Sequence, residues 1–329
     1  METRRLPKIE LHLHLEGAMP PGLARALAAE KRIDISRAFD ASGGYAFADF
    51  AGFLRVYEAA ASVLRGPDDY ARLTAVVAAD LAEQGVIYAE MFIAPEFCGG
   101  GDPSAWREHL AAIREAAETA QAQGGPILRG IATAVRHAGR AASRVAAQAA
   151  AGTAEDFLVG FGLAGDETAG RPADFAWAFD CAREAGLGLT AHAGEWSGPQ
   201  AIRDTLAALR PARLGHALSA LREPALVDTL AADGIVLELC PGSNIALGAV
   251  ACWADHPIAA LRDAGVAVTV STDDPPFFGT DMSREFTRLH DTFGWDEPDF
   301  RAITETAARA AFCDAATRAR ILKTLEETG

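Results

Sequence analysis

Short apolar runs of five to eight residues alternate along this chain with longer Ala-, Leu- and Arg-rich stretches of helical period. A strand buried on both faces needs only such a run, and the helix that returns the chain to the next parallel strand needs the longer stretch. The runs are Ile9–Leu15, Val86–Ile93, Ile127–Ala134, Phe157–Leu163, Leu187–Ala193, Arg213–Ala217, Ile235–Leu239 and Val266–Thr272, eight in all, each followed by a helical candidate. Eight consecutive βα units close a (β/α)8 barrel, a count that a doubly wound open sheet does not require. The expected class is therefore α/β: one (β/α)8 barrel domain over residues 1–329 with extra C-terminal helices.

The residues between the runs agree with this. Gly186 and Gly265 stand just past helical stretches and directly before strands, as C-terminal caps, and Ser197 ahead of Pro199 reads as an N-cap. Residues 20–84 form an insertion after the first strand that is too long for a single crossover helix, with Phe47, Phe50, Phe53, Leu54 and Tyr57 on a helical pattern. It is expected to be a helical lid, packing into the core being the alternative. Gly43-Gly44, Gly99 to Gly101 and Gly124-Gly125 lack the context of phosphate loops and read as turns.

Charge narrows the partners. Thirty Lys and Arg face forty-five Asp and Glu, a net charge of -15, and so acidic a surface repels nucleic-acid backbones and anionic lipid headgroups. The longest uncharged stretch, Leu239 to Ala254, is too short to span a bilayer and is broken by Pro241 and Gly242. The N-terminus has no apolar segment of signal-peptide type, and the five cysteines form no close pair of metal-binding or redox spacing. A cytoplasmic protein with reduced thiols and a small-molecule partner is expected, its oligomeric state open.

In a barrel of this class the working face is the C-terminal ends of the strands. The first run carries His12 and His14, two residues apart and so on one side of a strand; the fifth ends in His192, the sixth in His216, and the eighth in Asp273 and Asp274. A lone strand-end His is more often a satisfied polar residue than a ligand. Convergence changes the weighing, because three imidazoles and one carboxylate from strands one, five and eight make a mixed nitrogen and oxygen site suited to Zn²⁺. The other histidines, His109, His137, His256 and His290, fall in helices or loops. The only lysines are Lys8, Lys31 and Lys323, none near the fourth run, so no lysine is placed to bridge two metals and a single ion per chain is expected.

The segments ELHLHLEGA (Glu10 to Ala18), GLAGDE (Gly162 to Glu167), TAHAGE (Thr190 to Glu195), LGHAL (Leu214 to Leu218), CPGSN (Cys240 to Asn244) and STDDP (Ser271 to Pro275) resemble, in order, those of the adenosine deaminase family of the amidohydrolase superfamily. The resemblance implies a zinc enzyme that hydrolyses the 6-amino group from an adenine-type purine. It makes His12, His14, His192 and Asp273 the zinc ligands, with His14 also beside the substrate. It makes Glu195 the proton donor to purine N1 and His216 the residue that orients and deprotonates the attacking water. Asp274 would hold N7, and the backbone of Gly165 would meet N3. Phe50, Leu54 and Tyr57 are expected to close over the substrate.

One position departs from the best-known members. Glu16 stands where they carry an Asp that meets the ribose 5′-hydroxyl. It also occurs in related adenine and aminodeoxyfutalosine deaminases, so nucleoside, free base and modified nucleoside stay open. The GTDM segment (Gly279 to Met282) and Glu238 look more like nucleoside deaminases, and adenosine or deoxyadenosine is the expected substrate. A mononuclear amide or ester hydrolase would lack the pair Glu195 and Asp274, and a non-catalytic ligand-binding barrel would have lost a ligand. This chain keeps them all.

Overall fold

The computed structural model describes residues 2–327. Its one sheet has eight parallel strands in sequence order: β1 (Lys8–His14), β2 (Val86–Ile93), β3 (Ile127–Val135), β4 (Leu158–Ala164), β5 (Gly188–Ala193), β6 (Arg213–His216), β7 (Val236–Leu239) and β8 (Ala267–Val270). The first and last strands meet through Asp273, whose N–H donates to the His12 carbonyl at 3.1 Å while its own carbonyl accepts from His14 N–H at 3.0 Å. The closure of the barrel therefore runs through the residues that carry its chemistry.

The insertion after β1 is helical: α1 (Pro21–Lys31), α2 (Phe50–Ala61) and α3 (Pro67–Glu83). Asp49 caps α2 by accepting from Gly52 N–H, and the buried face of that helix points at the C-terminal ends of the strands. The crossover helices α4 (Pro103–Ala122), α5 (Gly139–Ala151), α6 (Ala176–Glu184) and α7 (Pro199–Leu209) follow strands two to five. At the opposite end, helices Glu297–Ala310 and Ala315–Glu327 send Ala307, Ala308, Ile321 and Leu325 into an apolar cluster with Ile9, Leu11, Tyr88 and Ile127 at the strand starts. This seals the floor, so the open end of the barrel is the one facing α2.

The expected caps are found at Gly186 and Gly265, with φ of 81° and 83°, where Leu187 N–H and Val266 N–H reach back 3.1 Å to Ala182 and Leu261 carbonyls. Ser197 is a correction: the cap of α7 is Gly198, and Ser197 turns its backbone N–H to the carboxylate of Glu167 instead. The eighth strand is also shorter than the run Val266–Thr272, ending at Val270, and Asp273 at φ 69° makes a separate parallel bridge to Leu13. Among the described residues no helix is long and apolar enough to cross a membrane.

Candidate active site

Four side chains converge at the open end of the barrel. His12, His14, His192 and Asp273 each offer one ligand atom, and these atoms lie within 4.8 Å of one another. His12 Nε2 is 3.0 Å from His192 Nε2 and 3.4 Å from Asp273 Oδ1, which is 3.2 Å from His14 Nε2. Three neutral imidazoles and a carboxylate at such spacing fit one transition-metal ion of borderline softness.

Their outer contacts fit as well. His12 Nδ1 is 2.8 Å from Glu238 Oε2, His192 Nδ1 is 2.9 Å from the Leu163 carbonyl, and Ser243 Oγ donates to Asp273 Oδ2 at 2.6 Å. Each of these ligands thus has its remaining polar atom occupied, which fixes the ring or carboxylate and leaves the inner atom free to bind. Burial alone would lower the pKa of His12, yet hydrogen bonds to Asp273 and Glu238 raise it to about 9. Those two carboxylates call for a positive charge at this place, and an ion would supply it.

The remaining pocket holds carboxyl groups without cations. Burial, followed by the negative charges of Asp273 and Glu167, raises Glu195 to about 8. Asn244 Nδ2 donates to Glu195 Oε1 at 2.9 Å and lies 3.2 Å from His216 Nδ1, so one amide sets the positions of both groups. Burial lowers His216 to about 3, which keeps its imidazole neutral. Asp274 is held well above the usual carboxylate range by burial and by Asp273 beside it, and its Oδ1 is buried without a hydrogen-bond partner. Gly17 leaves the space this carboxyl occupies, since a Cβ there would lie 1.6 Å from Asp274 Oδ1.

Glu16 lies at another wall, buried, accepting from Tyr70 OH at 3.1 Å and Tyr57 OH at 3.5 Å. Burial raises it to about 7. Phe50, Leu54 and Tyr57 of α2 line the cavity, and Phe53 and Glu58 line it with them. Gly165 lines it opposite, at φ 91°, with its backbone bare because a Cβ would come within 2.9 Å of His137 Nδ1.

All the residues singled out in the sequence come to this one cavity or its metal cluster. Several neighbours were not: His137 lines the cavity, His256 Nε2 stands 3.2 Å from Asn244 Oδ1, and Asn244, Ser243 and Glu167 orient groups already named. The last three lie inside motifs that the sequence displays, so membership in CPGSN and GLAGDE was their available signal. The cavity volume is about 90 Å³. Among the described residues, five carboxyl groups, Glu16, Glu58, Glu195, Asp273 and Asp274, face it, and no Lys or Arg does.

The adenosine deaminase family model matches residues 7–328. An adenine deaminase of Agrobacterium fabrum is 44% identical over 323 residues, covering 98% of this chain and 99% of its own. Among solved structures, an adenine deaminase of Arthrobacter aurescens superposes with a TM-score of 0.86 at 28% identity, covering 98% of each chain. A zinc-containing amidohydrolase of Burkholderia ambifaria shares the fold, with a TM-score of 0.88 at 24% identity over 99% of this chain and 92% of its own.

Proposed function

The chain belongs to the adenosine deaminase family of hydrolytic deaminases, and on that footing we propose that it is a zinc-dependent adenine deaminase, converting adenine and water to hypoxanthine and ammonia. The observation that carries the choice of substrate is the set of curated relatives, at 42% to 45% identity over at least 97% of this chain, that act on the free base. It favours adenine over adenosine, the substrate expected from Glu238 and the GTDM segment.

The pocket supports the free base. Glu16 and Tyr57, which is bonded to it, line one side of the cavity, and Tyr70 behind them holds Glu16, so a sugar on that side would lack room. A cavity of about 90 Å³ has space for six to nine waters at roughly 10–15 Å³ each, nearer the ten or so heavy atoms of adenine than the roughly nineteen of adenosine. A nucleotide is disfavoured further, since a phosphate would meet five carboxyl groups and no cationic side chain of Lys or Arg.

His12, His14, His192 and Asp273 would hold one zinc ion, which when bound supplies the Lewis acidity that activates water near neutral pH. His216, neutral at physiological pH, would take a proton from the attacking water as its oxygen bonds to C6. Glu195, protonated in its dry pocket, gives its proton to N1, so that negative charge does not accumulate on the ring. The C6–amine bond then breaks, the amine leaving as ammonia with the proton held by His216, and the proton on the C6 oxygen passes to Glu195 as the C=O forms. Asp274, kept neutral, donates to N7; the Gly165 N–H meets N3; Glu16 accepts from the N9–H that only the free base possesses.

Initial rates of ammonia release from adenine, adenosine, AMP and aminodeoxyfutalosine by the zinc-loaded protein test this reading. A kcat/KM for adenine at least about tenfold above the others is expected, the size of one lost hydrogen bond to a buried acceptor. A higher value for adenosine would restore the nucleoside reading.

A further inference from the structure

The segment between β5 and α7 that carries Glu195 has few apolar anchors and is held by polar contacts. Gly194 N–H donates to Glu167 Oε1, and Trp196 N–H and Ser197 N–H donate to Glu167 Oε2 at 2.9 and 3.3 Å. One buried carboxylate thus binds the backbone on both sides of Glu195. The Gly194 carbonyl accepts from Ser219 N–H at 2.9 Å, and Gly194 itself turns at φ 81°. Arg136, also buried, donates to the His192 carbonyl at 2.8 Å and places its positive charge near Glu167.

We infer that Glu167 is a positioning residue for the deamination: its carboxylate, by holding the backbone on both sides, sets the height and angle at which Glu195 meets the ring. Three charge-assisted bonds to backbone donors on both sides of Glu195 are stronger and more directional than a loop of this length obtains from packing. Glu167 follows Gly165 by two residues, so one short segment contacts the base along one edge and holds the group that protonates another. The negative charge of Glu167 is one of the causes that raise Glu195 to about 8. The inference rests on Glu195 being the donor proposed above.

The test is steady-state deamination of adenine by the zinc-loaded wild type, Glu167→Gln, Glu167→Asp and Glu195→Gln across pH, with bound metal and Tm measured on each. Because the protonated form of Glu195 is active, kcat/KM falls as pH rises through its pKa. Glu167→Gln is expected to lower kcat on the order of 10- to 100-fold, the scale of a misplaced catalytic group, with metal content unchanged. Loss of the like charge lowers the pKa of Glu195, so the basic limb moves to lower pH by on the order of one unit. Glu167→Asp keeps the charge and loses the reach: kcat falls and the limb stays. If Glu167→Gln does not fold, Glu167→Asp decides alone, wild-type kcat overturning the inference. Wild-type kcat in Glu167→Gln, or a loss that leaves the limb unmoved, also overturns it. Full turnover in Glu195→Gln would instead remove the donor assignment on which it stands.

Discussion

Two clusters of buried carboxyl groups lie a few residues apart in this barrel and hold opposite charge states. In the lower one, Arg213 of β6 stands between Glu90 and Glu238, with Nη2 2.6 Å from Glu90 Oε2 and Nε 2.5 Å from Glu238 Oε1. Its guanidinium lies 3.5 Å over the Phe312 ring and donates to the Ala310 carbonyl at 3.0 Å, while Glu90 Oε1 accepts from Tyr88 OH at 2.7 Å. Burial would raise Glu238, but Arg213 and then His12 hold it below the usual range. In the upper cluster Asp274 and Glu16 are buried too, Glu195 is only slightly exposed, none of the three faces a Lys or Arg among the described residues, and burial raises all three. Depth alone therefore does not set protonation; the presence of a cation opposite does. The lower cluster spends its charge on geometry, ending at Glu238 and the ring of His12, and in the upper one Glu195 and Asp274 keep protons available for a purine.

Removing a proton from the upper cluster should cost the most. Glu195→Gln keeps the hydrogen-bonding shape and lacks an acidic proton, so kcat for adenine should fall on the order of 10²- to 10⁴-fold with bound metal unchanged. A variant above a tenth of wild-type turnover would break the comparison at its upper end. Arg213→Met strikes the lower end by leaving Glu90 and Glu238 buried without their cation. It should lose roughly 3–5 kcal/mol in urea unfolding and weaken metal affinity through His12, and wild-type stability would show that the ion pair is not what holds that region. The smallest effect belongs to Tyr57→Phe, which removes one long hydrogen bond to Glu16. The preference for adenine over adenosine should shrink roughly two- to tenfold in kcat/KM, and an unchanged ratio would detach Glu16 and its tyrosines from substrate choice.

How far these clusters are legible in the sequence differs for the same reason. His12, His14, His192, His216 and Asp273 are readable because each sits at or beside the end of an apolar run, and barrel closure brings strand ends together. The strands agree with expectation to within a few residues, β2 matching Val86–Ile93 at both ends. Arg213 reads only as the start of a run, since its partners Glu90 and Glu238 lie on other strands and no local period links them. Ser197 was assigned a cap because the Ser-x-Pro pattern is local, whereas Glu167, thirty residues earlier, claims its backbone across the barrel mouth. The same holds for Asn244 between Glu195 and His216, and for Tyr70 of α3 on Glu16. Period and punctuation encode elements; contacts between successive loops depend on how the closed barrel aligns them.

The contrast between the two clusters comes down to which carboxyl carries a proton, and infrared difference spectra of the zinc-loaded protein at pH 7 read that directly. Subtracting Glu195→Gln from wild type should show the loss of a protonated carboxyl C=O band, and subtracting Glu238→Gln should show the loss of a carboxylate band. A carboxylate lost with Glu195 would contradict the account, because the group assigned to protonate N1 would then hold no proton to give.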